Sequence, residues 1–169
     1  MVAFAALLAI VPGGGLQAQG DDVIGLPVGS TPAAPTVEDL DGNPVDLGQW
    51  IGKKPVLLEF WASWCPQCEE LLPRMQAAHA RYGERVEFLV IAVAVNQTPR
   101  SVKRHLARHP MPFTFLWDAT GAAVRAFAAP TTSYVVLLDA GGKVVYTGAG
   151  GGQDLERALT ASTAPLPPP

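Results

Sequence analysis

Residues 59–68 read Glu59-Phe60-Trp61-Ala62-Ser63-Trp64-Cys65-Pro66-Gln67-Cys68. They close an apolar run that opens at Pro55 (PVLLEF), of strand length and broken only by Glu59, as in a strand buried on both faces. Pro66 suits the first position of a helix, where its missing N–H would be unpaired anyway. The spacing therefore predicts a strand, a sharp turn and a helix over 65–82, with Cys65 at the cap and Cys68 at the third helical position. Two sulfurs so placed meet across one turn, so a disulfide can form and break with little backbone movement. Unpaired N–H groups at the helix start favour a thiolate on Cys65, and Cys68 becomes the resolving thiol.

Working outward, Asp41-Gly42-Asn43-Pro44 marks a small hairpin within 36–49. Val86–Val95 (VEFLVIAVAV) reads as a second buried strand, and Thr98-Pro99 opens a helix that Pro110 and Pro112 stop. A short strand at 113–116 and a short helix at 119–127 follow. Strands at 133–138 and 143–147 flank Asp139-Ala140-Gly141-Gly142, and a last helix covers 153–160. Strands alternating with helices and ending in a hairpin make an α/β three-layer sandwich with a mixed sheet.

The chain has 169 residues, enough for one domain. Its 12 Lys and Arg against 15 Asp and Glu leave a formal charge of −3, which argues against nucleic acid as a partner. Residues 1–20 carry no charged side chain; an apolar run over 2–11, a Pro-Gly break and the small residues Ala18 and Gly20 have the layout of an export signal or an apolar anchor. No Lys or Arg precedes that run. Residues 21–33 read as an extended linker, 34–161 as the folded domain and 162–169 as a proline-rich tail.

Other uses of the cysteines weigh less. A loop this short constrains the unfolded chain least, so a stapling role is weak. A zinc site needs two more ligands, and only His79, His105 and His109 are available; His105 and His109 stand one helical turn apart, in a Lys/Arg-rich helix where solvated or capping roles are commoner. No metal or cofactor is expected.

The segment Glu59–Cys68 resembles the active-site region of the thioredoxin superfamily. Asp41-Gly42, Leu47 and Gly52-Lys53 upstream, an extra strand-helix unit near 86–109, and Pro130-Thr131-Thr132 before an apolar strand resemble the exported TlpA/ResA-type thiol-disulfide oxidoreductases. The resemblance covers about 34–160. It implies a thioredoxin-like sandwich with an N-terminal hairpin and a central strand-helix insertion. It also implies dithiol-disulfide exchange with client proteins outside the cytoplasm, in the periplasm for example, and electrons drawn from a membrane thiol-disulfide transporter. Reduction of apocytochrome c is one such task. A monomer is expected.

The resemblance also places Pro130 where the family carries a cis-proline facing the cysteines, with Ala129 offering its N–H and C=O to an extended substrate. It puts Glu59 where thioredoxins bury an acid; a carboxyl there should have a raised pKa and take or return the Cys68 proton. The chain departs from the ResA pattern at Leu71, where a glutamate is frequent, while Pro73 is retained and should kink the helix. Trp61 reads as core, and Trp64 as part of the partner surface. An oxidant that introduces disulfides remains a second enzymatic reading, because about 30 mV shifts the balance tenfold. A copper-binding chaperone on the same fold is the alternative of another class, against which the three-position cysteine spacing counts. A peroxidase is disfavoured by Ala62, where Thr or Ser would stand.

Overall fold

The computed structural model describes residues 25–163; the readings made of residues 1–20 and of the tail beyond Thr163 lie outside them. The described chain forms a seven-stranded mixed sheet in the order β2-β1-β5-β4-β3-β6-β7. Its strands are β1 (Thr36–Glu38), β2 (Pro44–Asp46), β3 (Val56–Trp61), β4 (Glu87–Val93), β5 (Thr114–Asp118), β6 (Tyr134–Leu138) and β7 (Val144–Ala149). Its α-helices are α1 (Pro66–Tyr82), α2 (Pro99–Arg108), α3 (Ala122–Ala126) and α4 (Leu155–Thr163). β3, β4 and β5 run parallel, while β6, β7 and the β1–β2 hairpin run antiparallel to their neighbours.

Every residue of β3 and β6 is buried, which is why their sequences lack polar alternation. The period of two instead sorts side chains between faces. Leu57, Val135 and Leu137 pack with Leu71, Met75 and Ala78 of α1 and Leu155 and Leu159 of α4. Leu58, Phe60, Tyr134 and Val136 join the other cluster with Leu47, Ala123 and Phe127. The buried face of α1 recurs at three- and four-residue steps through Cys68, Leu71, Met75, Ala78 and Tyr82. Pro73 lies inside this helix without ending it. The Tyr82 hydroxyl joins α1 to α4, donating to Glu156 Oε1 at 2.9 Å and lying 2.9 Å from Thr160 Oγ1.

α2 starts with a capping box in which Thr98 Oγ1 accepts from the Ser101 N–H and Ser101 Oγ accepts from the Thr98 N–H. Lys103 pairs with Asp41, tying the inserted helix to the N-terminal hairpin.

Two boundaries differ from the sequence reading. Part of the stretch read as linker is docked: the Leu26 N–H donates to the Tyr134 hydroxyl at 2.9 Å, the Gly29 N–H to Val144 O at 2.7 Å, and the Val144 N–H back to Ser30 O at 2.8 Å. Gly25, at φ 85°, permits that approach, since a Cβ there would lie 2.1 Å from the Tyr134 oxygen. At the other end α4 continues to Thr163, beyond the expected stop at 160. The first proline after it is Pro165, and only the residue just before a proline is steered out of the helix, so Thr160-Ala161-Ser162-Thr163 is free to extend it.

Candidate active site

β3 delivers the chain to a tight loop, and Cys65 caps α1 with extended backbone (φ −91°, ψ 106°). Its Sγ accepts the Cys68 N–H at 3.1 Å, as a sulfur at a helix N-cap should. Pro66 fills the first helical position, and the Cys65 N–H is taken by Ala62 O at 3.1 Å. Cys65 and Cys68 are joined as a disulfide with Cα atoms 5.3 Å apart, and both are buried. The helix start thus aims its N–H groups at Cys65, the arrangement that stabilises a thiolate there once the bond is reduced.

The loop is held from the side by the β4–α2 connection. Gln97 Oε1 accepts the Ser63 N–H at 2.9 Å while Gln97 Nε2 donates to Val93 O at 2.8 Å. The Trp64 indole N–H donates to Val95 O at 2.8 Å, leaving a ring 45% exposed. Asn96, at φ 52°, supplies the bend that turns those groups inward. Gln97 is a supporting residue the sequence reading missed, because nothing in a Gln before Thr-Pro announces a contact with residue 63.

Trp64 lines a groove of about 300 Å³ together with Val95, Val124, Ala129, Pro130 and Thr131. Trp64, Ala129 and Pro130 thus line one groove, but two details of Pro130 and Ala129 are corrected. No peptide bond among the described residues is cis, so Ala129–Pro130 is trans. The chain instead reverses through left-handed residues on either side, Ala128 at φ 46° and Ser133 at φ 58°. The Ala129 N–H is also spent, donating to Val124 O at 2.9 Å behind α3. Ser133 locks the loop to the sheet by donating its N–H to Phe60 O at 2.7 Å, and Gln153 Nε2 holds Ser133 O at 2.9 Å.

Glu59 lies in the middle of β3, paired with Val90 on one side and Val135 on the other, 3% exposed and with Oε1 unpartnered. Burial pushes its pKa up to about 8. Trp61, two residues on, is buried in the core. His105 stands edge-on to it at 5.3 Å between ring centroids, and His109 follows at 4.8 Å from His105. His79 packs between Phe88 and Phe113. Among the described residues no group of three or more His, Cys, Asp or Glu is arranged to hold a metal ion.

The Redoxin family model matches residues 27–161, which contain the whole sheet and the cysteine pair. The chain belongs to that family. It is 31% identical to the thiol-disulfide oxidoreductase ResA of Halalkalibacterium halodurans over 68% of this chain and 64% of that protein, slightly less than two thirds of its relative's length. The ResA of Geobacillus kaustophilus is also 31% identical, over 78% of this chain and 76% of its own. Among solved structures, a secreted Mycobacterium tuberculosis disulfide oxidoreductase homologous to E. coli DsbE superposes with a TM-score of 0.64 at 27% identity, covering 76% of this chain and 96% of that one. The thioredoxin-like sandwich expected from residues 59–68 is the fold of this Redoxin member.

Proposed function

We propose that this chain is a thiol-disulfide oxidoreductase that reduces disulfides of client proteins outside the cytoplasm. The observation that carries the reading is Cys65 at the cap of α1, its sulfur facing the Cys68 N–H and already paired with Cys68. From the dithiol, a Cys65 thiolate attacks one sulfur of a client disulfide and expels the other as thiolate. Cys68 then attacks Cys65 Sγ, the client leaves as a dithiol, and two electrons have passed. Burial keeps Glu59 protonated to about pH 8, so in this scheme it returns a proton to Cys68 when the pair is reduced again. Trp64 and the Ala129–Pro130 segment seat the client; with its N–H engaged, Ala129 offers only its carbonyl to a client backbone.

The ResA names of two relatives and the secreted, DsbE-like solved structure support exchange of this kind and an extracytoplasmic location. A membrane thiol-disulfide transporter is the electron donor in this reading, cytochrome c maturation is one setting, and the protein acts as a monomer. The uncharged apolar stretch at residues 2–11 supplies the export signal or anchor. The test is the equilibrium potential of the Cys65/Cys68 pair in a glutathione series: a value at or below about −220 mV is expected, and one at or above about −150 mV reverses the direction and makes the protein an oxidant. Sequencing the N-terminus of exported protein tests the location, and finding residues 1–20 on a cytosolic form would refute it.

A further inference from the structure

Cys68 lines a cavity that shares no residue with the Trp64 groove. This cavity, of about 270 Å³, runs between α1 and α2, with Cys68, Ser63 and Glu69 on one wall and His105, His109 and Met111 on the other. Trp61 forms part of its lining and holds the His105 ring edge-on. We infer that His105 is the group that accepts the Cys68 proton, across water in this cavity, when Cys68 attacks the mixed disulfide.

The inference rests on the thiol-exchange reading above and divides proton handling between two groups. Glu59, carrying its proton up to about pH 8, is mostly in the wrong form near neutrality to receive another. It suits the opposite half-reaction, in which the Cys68 thiolate leaves and needs a proton. His105 is partly desolvated, and the neighbouring His109 and Arg108 add positive charge, so its pKa is lowered from the usual 6.5 despite the opposing pull of Glu69. The neutral imidazole therefore predominates at neutral pH, and it reaches a cavity lined by the sulfur-bearing residue. The Cys68 S–H bond breaks and its proton goes through water to His105. The freed electron pair forms the Sγ–Sγ bond to Cys65, and the Cys65–client bond breaks with its pair on the client sulfur, which takes a proton from solvent.

Reduced protein mixed with excess Ellman's disulfide reports the two steps separately. The first nitrothiolate marks attack by Cys65, the second marks attack by Cys68 on the resulting mixed disulfide. His105→Gln should leave the first phase unchanged and slow the second by about tenfold or more near pH 7. The two proteins should converge at high pH, where hydroxide ionises Cys68 directly. His109→Gln removes a charge that lowers the His105 pKa, so it should keep the fast second phase that His105→Gln loses and only move its low-pH limb to higher pH, and an unchanged unfolding midpoint for His105→Gln separates proton transfer from folding. Superimposable second-phase pH profiles for wild type and His105→Gln would overturn the assignment, as would a defect seen with His109→Gln instead. Failure of the wild-type protein to release a second nitrothiolate would refute the thiol-exchange reading itself.

Discussion

Replacing Glu59 by glutamine should abolish a pH dependence of stability that the wild-type protein carries because it buries an unpartnered carboxyl. An ordinary glutamate releases its proton near 4.5, whereas Glu59 keeps it to about 8. The folded state therefore holds a proton that the unfolded chain has released throughout that interval. Stability is fullest below about pH 4.5, falls as the pH rises and levels off above about 8. At about 1.4 kcal/mol for each pH unit, the loss amounts to about 3 kcal/mol by pH 7 and about 5 kcal/mol in full. Against a typical net stability of about 5–15 kcal/mol that is a large fraction. Urea unfolding of the oxidised protein between pH 5 and pH 9 measures it. The wild type should lose stability relative to Glu59→Gln across this range, so that the variant is the more stable protein under alkaline conditions. Parallel curves, with the difference constant from pH 5 to 9, would refute the claim that Glu59 is buried without a partner for its charge.

Three further outcomes are expected. Cys68→Ser should retain attack by Cys65 and accumulate a covalent client adduct visible by mass spectrometry, whereas Cys65→Ser should form none; equal adduct yields would contradict the assigned order. Trp64→Ala should raise KM for a protein disulfide by about tenfold, the cost of a lost aromatic contact of about 1–2 kcal/mol, with little change in reaction with a small disulfide. Tyr134→Phe removes the hydroxyl that receives the Leu26 N–H and should cost about 1 kcal/mol, with faster amide exchange at Leu26. Unaltered exchange there would mean that the N-terminal segment is held elsewhere.

The parts of the molecule legible in the sequence are those fixed by local chemistry. Buried strands showed as β3 and β4 because apolar runs broken at most by a single glutamate leave few other choices, and the cap at Cys65 because Pro66 and the cysteine spacing act within one turn. The hidden parts depend on partners distant in the chain. Leu26 looked like linker because its hydrogen-bond acceptor is a hydroxyl at position 134. Gln97 looked unremarkable because its task is to hold residue 63. The expected cis bond at Pro130 came from the resemblance, and the geometry around it is made by Ala128 and Ser133, two residue types whose sequence gives no sign of a left-handed backbone. The glutamate frequent in the ResA pattern is Leu71 here, and the histidines that line a cavity together with Cys68 come from the inserted strand-helix unit, a juxtaposition that no local spacing announces.

The indole N–H of Trp64 is committed to Val95, and the N–H of Ala129 to Val124. In the proposed reading, a client at this groove meets largely hydrocarbon and ring face, with few directional demands. Sites that match hydrogen bonds reject a wrong partner by about 10⁴-fold or more, whereas apolar contact alone separates neighbours by about 10- to 200-fold. A surface of this kind tolerates many sequences around an accessible disulfide, so its choice among clients falls to which proteins share its compartment and expose a disulfide there.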